Sequence, residues 1–364
     1  MKINEIISCI ESFAPLSFQE SYDNSGLITG DPAQETDSAL LCIDVTEEVI
    51  NEAIKLKCAL IISHHPIVFR PIKKLSDKNY VTRCIIKAIQ NNIALYSAHT
   101  NIDAVRQGVN ARICEKIGLK NTQVLVPRTE ELRKLVFFVP VSHADKVRKK
   151  VFEAGAGHIG NYDQCSFNLQ GDGTFRGSED TNPFVGEKGK FHTEKEIRVE
   201  TIYPVHRESA IIKAMLDSHP YEEVAYDIYP LANLYNQAGS GMVGELQDPL
   251  GEMVFLKRLK KIFRAGIIRH SPLPGKEIKK VAVCGGSGIQ FLDQAINSGA
   301  GIYITADIKY HQFFDADGRI IIADIGHYES EQFTTELFHE LILKKFPTFA
   351  VHFSEVYTNP VNYY

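Results

Sequence analysis

Apolar positions along the first third of the chain recur in two alternating registers. Ile3, Ile6, Ile7 and Ile10 share one face of a short helix. The apolar run "ALLCIDV" (39–45) then reads as a strand. Behind it "TEEVINEAIKLK" opens on Thr46, a residue type that caps helix N-termini. "CALIIS", "NYVTRCIIKAIQNN", "IALYSAHTNID" and "AVRQGVNARICEKIGL" repeat the strand and helix patterns in turn. Alternation of this kind predicts parallel strands covered by helices on both faces. The last third resumes it with "KKVAVCGGSG", "IQFLDQAINSG", "AGIYITADIKYH" and "GRIIIADIGHYES", then the long amphipathic "EQFTTELFHELILKKF" and a late strand in "FAVHFSEV".

The middle of the chain follows another order. "RKLVFFVPV" predicts a strand, "SHADKVRKKVFEAGA" a helix and "CSFNLQGDGTF" a strand. The polar, glycine-rich "RGSEDTNPFVGEKGKFHTEK" predicts a hairpin arm or loop. "EIRVETIYP", helix "HRESAIIKAMLDSHP" and "VAYDIYPL" complete a β-α-β-β-α-β order, the ferredoxin-like arrangement. The expected fold is therefore a discontinuous α/β domain in two halves, residues 1–126 plus 236–364, with a ferredoxin-like α+β domain inserted at 127–235. Insertion is feasible because the two ends of a domain often lie close together.

Composition narrows the function classes. A chain of 364 residues suits two or three domains, and its net charge of −5 leaves no global footprint for nucleic acid or an anionic membrane. The basic stretch "KRLKKIFRAGIIRH" (257–270) has the spacing of a helix with a solvated basic face. Glu5 and Glu11 interrupt any signal-like apolar segment at the N-terminus, and no apolar run reaches membrane-spanning length. The seven cysteines are scattered without a Cys-x-x-Cys pair, which favours a reducing, cytoplasmic setting over a disulfide framework.

The chemistry gathers at the ends of strands, where open α/β sheets place their sites. The strand from Ala59 ends in His64 and His65, and the strand from Ile93 runs into His99 and Asp103. The strand from Ile302 leads to Asp307 and His311, and that from Ile320 to His327 and Glu331. Adjacent strand residues point to opposite sides, and Pro66 keeps His65 extended, so His64 and His65 suit different ions of a close pair. His327 and Glu331, four apart where a helix begins, share a face. Glu331 could bridge two ions, with histidine filling one shell and Asp103 the other. Such donors suit zinc, iron, manganese, nickel or cobalt better than calcium or magnesium. Taken singly, each residue has a structural reading as well: a capped rim histidine, an Asp103 helix cap, a Glu331 favoured by the helix dipole. "CGGSG" (284–288) reads equally as a phosphate-cradling turn or a tight strand-to-helix turn, and "SYDNSGLITGD" (21–31) as a turn.

Through "YDNSGL" (22–27), "SHHP" (63–66), "SAHTNID" (97–103), "ADIKYH" (306–311) and "GHYESE" (326–331), the chain resembles the NIF-three-like family. Members of that family are often labelled GTP cyclohydrolase I type 2 homologues. The resemblance spans the whole chain, and the segment around "HPYEEVAYDIYPL" (219–231) is similar to a PII/CutA-like insert. It implies a dinuclear site at His64, His65, Asp103, His327 and Glu331, with two divalent metal ions per subunit. His99 would be a weak ligand or a proton-transfer group, and His311 a second candidate for proton transfer. Also implied are a homo-hexamer whose sites face an internal cavity and a small-molecule or nucleotide substrate. Two function classes follow: a metal-dependent hydrolase, attacking the guanine ring of GTP or a phosphoester, and a non-enzymatic metal-binding regulator, metal-handling protein or scaffold.

Overall fold

The isoleucine stripe at the N-terminus folds as the helix Ile3–Phe13, with Ile3, Ile6 and Ile10 fully buried. The computed structural model describes residues 1–364, in fifteen strands. The first segment holds β1 (Gly26–Thr29), β2 (Ser38–Cys42), β3 (Leu60–Ser63), β4 (Ala94–Ser97) and β5 (Lys120–Arg128). The middle segment holds β6 (Leu132–Pro140), β7 (Phe167–Arg176), β8 (Phe191–Pro204) and β9 (Tyr226–Leu231). The last holds β10 (Tyr235–Gly251), β11 (Arg269–His270), β12 (Glu277–Ser287), β13 (Ile302–Ala306), β14 (Ile321–Asp324) and β15 (Ala350–Phe353). Two compact units result: Met1–Pro127 with Asn236–Tyr364, and Arg128–Tyr235.

The larger unit contains two sheets, ordered β1-β4-β3-β2-β15 and β11-β14-β13-β12-β10-β5. β15, β2, β3 and β4 run parallel, as do β12, β13 and β14. Their helices start and stop on local signals: the Thr46 side chain accepts from the Val49 amide, and Gly118 ends the helix Val109–Ile117 at φ +85°. One apolar cluster joins residues of both sheets, among them Leu41, Ile62 and Tyr96 from the first and Val281, Ile304 and Ala323 from the second. That shared core holds the carboxyl ends of both parallel sets in one body.

Three strands depart from the expected parallel pattern. Gly26–Thr29, which reads as a turn in the sequence, pairs antiparallel with β4 as an edge. β10 pairs antiparallel with β12, and β11 with β14. β10 is glycine-rich and lacks a period-two apolar signal, so its strand character depends on its neighbours. A Cβ at Gly239 would lie 2.1 Å from the Val126 carbonyl oxygen, so only glycine lets the two backbones approach there.

The smaller unit is a β-α-β-β-α-β array with an antiparallel sheet ordered β7-β8-β6-β9, the ferredoxin-like topology. Alternate residues of β6 (Leu135, Phe137 and Val139) pack under the helices Ala144–Glu153 and Glu208–Ser218 through Val147, Val151, Ile211 and Met215. No helix of the protein is long and apolar enough to cross a membrane.

Candidate metal centre

β3 ends at Ser63, and the next two residues continue its pairing: the His64 amide donates to the Cys42 carbonyl (3.2 Å) and the His65 amide to the Ile43 carbonyl (2.9 Å). The extended backbone turns the two rings to different sides, and Pro66 disfavours a helical alternative at His65. After β4, His99 precedes the helix Thr100–Ala104, which carries Asp103. After β14, the helix His327–Glu331 places its first and last residues one turn apart on one face.

Four imidazoles are anchored the same way. His64 Nδ1 lies 3.0 Å from the Ala98 carbonyl, His65 Nδ1 2.8 Å from Asp44, His99 Nδ1 2.8 Å from Asp23 and His327 Nδ1 2.6 Å from Asp307. With an acceptor on Nδ1, the proton of the neutral ring belongs there, and Nε2 is left with its lone pair. For His64, His65 and His327 the Nε2 atoms converge on one oxygen, Glu331 Oε2, at 3.5, 3.0 and 3.1 Å. Asp103 Oδ1 stands 3.7 Å from His64 Nε2.

The donors form overlapping sets: His64, Asp103 and Glu331; His65, His327 and Glu331; His64, His65 and His99. In each, the ligand atoms lie within 4.8 Å of one another. Glu331 belongs to the first two, so it stands where two cation positions would meet. His64 Nε2 and Asp103 Oδ1 are buried without a hydrogen-bond partner, a costly state for polar atoms that a cation between them would relieve. The residues fit a divalent ion with imidazole and carboxylate preference.

Electrostatics agree with that fit. Burial opposes the charged form of Glu331, but His327 and His64 beside it hold its carboxyl well below the usual range. Asp103 moves the other way: burial, with the Glu331 charge close by, pushes it up to about 8. Burial would lower His65 and His327, yet the carboxylates of Asp44 and Glu331 raise His65 to about 10, and those of Glu331 and Asp307 raise His327 to about 11. The pocket therefore draws positive charge, whether protons or a metal.

Gly285 and Gly286 sit against this cluster. A Cβ at Gly286, where φ is +60°, would lie 2.3 Å from Glu331 Oε1. The amides of Gly285, Gly286 and Gly288 already donate to Asn110, Ser330 and Thr305 side chains at 2.9 Å each. The "CGGSG" turn thus seats Glu331 and offers these amides to no phosphate.

Of the residues singled out in the sequence, His64, His65, His99, Asp103, His327 and Glu331 come together. His311 does not: it is exposed on the 3-10 segment Tyr310–Ala316, with its ring against Tyr310. Asp307 sits in the left-handed region at φ +57° and reaches His327, a partnership its exposed turn did not suggest. Asp44 and Asp23 escaped the sequence reading as anchors, although Asp44 lies just beyond the end of β2 and the strand-end argument could have reached it. His65, His99, Asp103, His327 and Glu331 line a cleft of about 1390 Å³, which Arg70, Lys73 and Lys74 also line, while His64 is fully buried behind it.

The family model for Duf34/NIF3 (NGG1p interacting factor 3) matches residues 1–360. A protein of Halalkalibacterium halodurans named GTP cyclohydrolase 1 type 2 homolog is 40% identical over 98% of both chains. One of the same name from Bacillus subtilis is 37% identical over 99% of this chain and 98% of its own. Among solved structures, a Bacillus cereus protein related to NIF3 superposes with a TM-score of 0.87 at 38% identity, covering 100% of this chain and 99% of that one.

Proposed function

The chain belongs to the Duf34/NIF3 family, and on that premise we propose that it is a metal-dependent hydrolase acting on a small, phosphate-bearing substrate of the nucleotide class. The observation that carries the reading is the convergence of three anchored Nε2 atoms on the buried Glu331 at the floor of an open cleft. His64 and Asp103 would hold one ion, His65 and His327 a second, and Glu331 both. Bound divalent ions would supply Lewis acidity toward water and toward the electrophilic centre of the substrate.

The chain's own residues would do the rest. Arg70, Lys73 and Lys74 place three cations on the wall of the cleft, where they would hold an anionic group by charge. Phe69, whose ring meets His99 edge-on at 5.5 Å, offers an apolar surface beside the cluster for a base or other flat group. His99, fixed at Nδ1 by Asp23, is the group placed to give or take a proton at the substrate. Asp23 is itself held: its other oxygen accepts from the Thr100 amide (3.1 Å) and the Ser25 hydroxyl (2.9 Å). The name shared by the relatives makes opening of the guanine ring of GTP the first reaction to assay, with phosphoester cleavage next.

The test pairs metal analysis with turnover. Wild-type protein and Glu331→Gln, each reconstituted with zinc, manganese or ferrous iron, would be assayed for formate and for inorganic phosphate released from GTP. Metal-dependent release of either product, lost in the variant, supports the hydrolase. Stoichiometric metal without product from GTP or from a panel of phosphoesters would favour a regulatory metal protein instead.

A further inference from the structure

The smaller unit has a cavity of its own, of about 590 Å³, on the face of its sheet away from the two helices. Strand alternation makes it so. Leu135, Phe137 and Val139 of β6 go under the helices, while Phe138 turns the other way and lines the cavity with Glu196 of β8. On β7, Gly171 stands opposite Glu196 in the register, and Gly173 lies two residues on, facing the same side. A Cβ at Gly171 would meet nothing within 4 Å, whereas one at Gly173 would lie 2.1 Å from Glu196 Oε2. The two glycines leave a hollow, and the Glu196 carboxylate lies across it.

Glu196 is only 8% exposed. Its Oε1 accepts a hydrogen bond from the Tyr221 hydroxyl at 2.8 Å. One such bond leaves most of a carboxylate's acceptor capacity unused, and a buried anion needs a cationic or strongly donating partner. The walls beside it are aromatic: Tyr221 has Phe175 at 6.1 Å and Phe184 at 6.3 Å between ring centroids. The loop carrying Phe184 is tied down, because the Asn182 amide donates to Glu222 at 2.7 Å. Of the charged lining residues, four are carboxylates and two are guanidiniums, and one of the latter, Arg198, is paired with Glu200 at 2.9 Å. A structural role for Glu196 alone would call for neither the hollow nor the aromatic walls.

We propose that this cavity is a second binding site, for a small organic cation: a protonated amine on a flat apolar body. The amine pairs with Glu196, and the body lies among Phe175, Phe184 and Tyr221, whose ring faces also favour positive charge. The volume is that of an ordinary small-molecule site.

Because the chain has no tryptophan, the fluorescence of an indole probe reports its own binding. Tryptamine, its neutral counterpart tryptophol, and indole-3-acetate would be titrated into the full chain. Saturable binding of tryptamine, one per chain and about 10-fold or more tighter than tryptophol, is expected from a charge-assisted hydrogen bond, with indole-3-acetate weakest. Glu196→Gln should bring tryptamine to the level of tryptophol. Phe184→Ala, at an exposed loop position that cannot unfold the core, should weaken both. Glu331→Gln should leave both unchanged, which separates this site from the metal centre. No tryptamine binding up to about 1 mM, a weak limit for a specific site, would overturn the proposal. So would equal affinity for tryptamine and tryptophol, or loss of binding in Glu331→Gln but not in Glu196→Gln or Phe184→Ala.

Discussion

His327 in the larger unit stands between Glu331 and Asp307, and His65 between Glu331 and Asp44. His219 in the smaller unit is just as much an interior residue, yet its ring serves the backbone: Nε2–H donates to the Phe138 carbonyl at 2.9 Å, and Nδ1 accepts the Tyr221 amide at 3.1 Å. The electrostatic outcomes are opposite. Carboxylates drive His65 and His327 up against the pull of burial, whereas burial pushes His219 down and, with Arg207 adding to it, lowers His206 to about 4. Burial alone makes a histidine neutral and structural. Carboxylates on both sides of it make a place for a cation, and that difference separates the candidate metal centre from an ordinary core.

The most severe way to break the contrast is to remove the shared carboxylate. Glu331→Gln should lower divalent-metal affinity by more than about 100-fold, since it withdraws a ligand from both sets, beyond the loss typical of an outer partner. Competition titration with a chromogenic chelator measures it, and retention of metal would refute the bridging role. Gly286→Ala tests the same oxygen from the backbone side. Its Cβ would displace Glu331 Oε1, so a loss approaching that of Glu331→Gln is expected in the same titration.

The anchors should matter less. Asp44→Asn and Asp307→Asn keep size and remove charge behind His65 and His327, and each should cost about 10–100-fold in metal affinity. An unchanged affinity would mean the Nδ1 carboxylates are incidental.

Protons sharpen the comparison further. With His65 and His327 raised to about 10 and about 11, both rings are protonated at neutral pH before metal arrives. Asp103, raised to about 8, also carries its proton at pH 7. Metal uptake there should therefore release about three protons, measurable in weakly buffered solution, and affinity should rise with pH until that window is passed.

The smallest effect concerns stability, and its sign differs between the units. His206 has a folded value below its ordinary 6.5, so protonation favours the unfolded chain. Its contribution is complete above 6.5 and is lost as pH falls toward 4, a change of about 1–2 kcal/mol after allowance for partial solvent exposure. Without metal, His65 and His327 contribute stability that is complete below 6.5 and disappears as pH rises through about 10 to 11. Thermal scans of the full chain across pH, with and without His206→Gln, resolve the acid limb. The variant should lose less stability between pH 6.5 and 4.

Much of this was legible in the chain. The run Ala59–Ile62, one residue before His64, is apolar at every position, so it reads as a buried strand wherever it is placed, and the residue types after such runs mark a crevice. The spacing of His327 and Glu331 fixes their common face within a single helical turn. These features depend only on neighbours a few residues apart. The strand Gly26–Thr29 and the long β10 were not legible, because neither carries a periodic apolar signal and each is ordered by pairing with a distant strand.

The sequence by itself determined which residues end the strands and which could bind a cation. Only the tertiary structure decided which ends meet. His65 and Glu331, 266 positions apart, touch because two sheets share one apolar core. It also selected Asp44, Asp23 and Asp307 as anchors, turned "CGGSG" into the seat of Glu331, and left His311 outside. The physical reason is range: periodicity, capping and strand-end chemistry are local, whereas the choice among strand ends follows from burying both sheets against each other, a nonlocal gain in apolar contact that no short stretch of sequence contains.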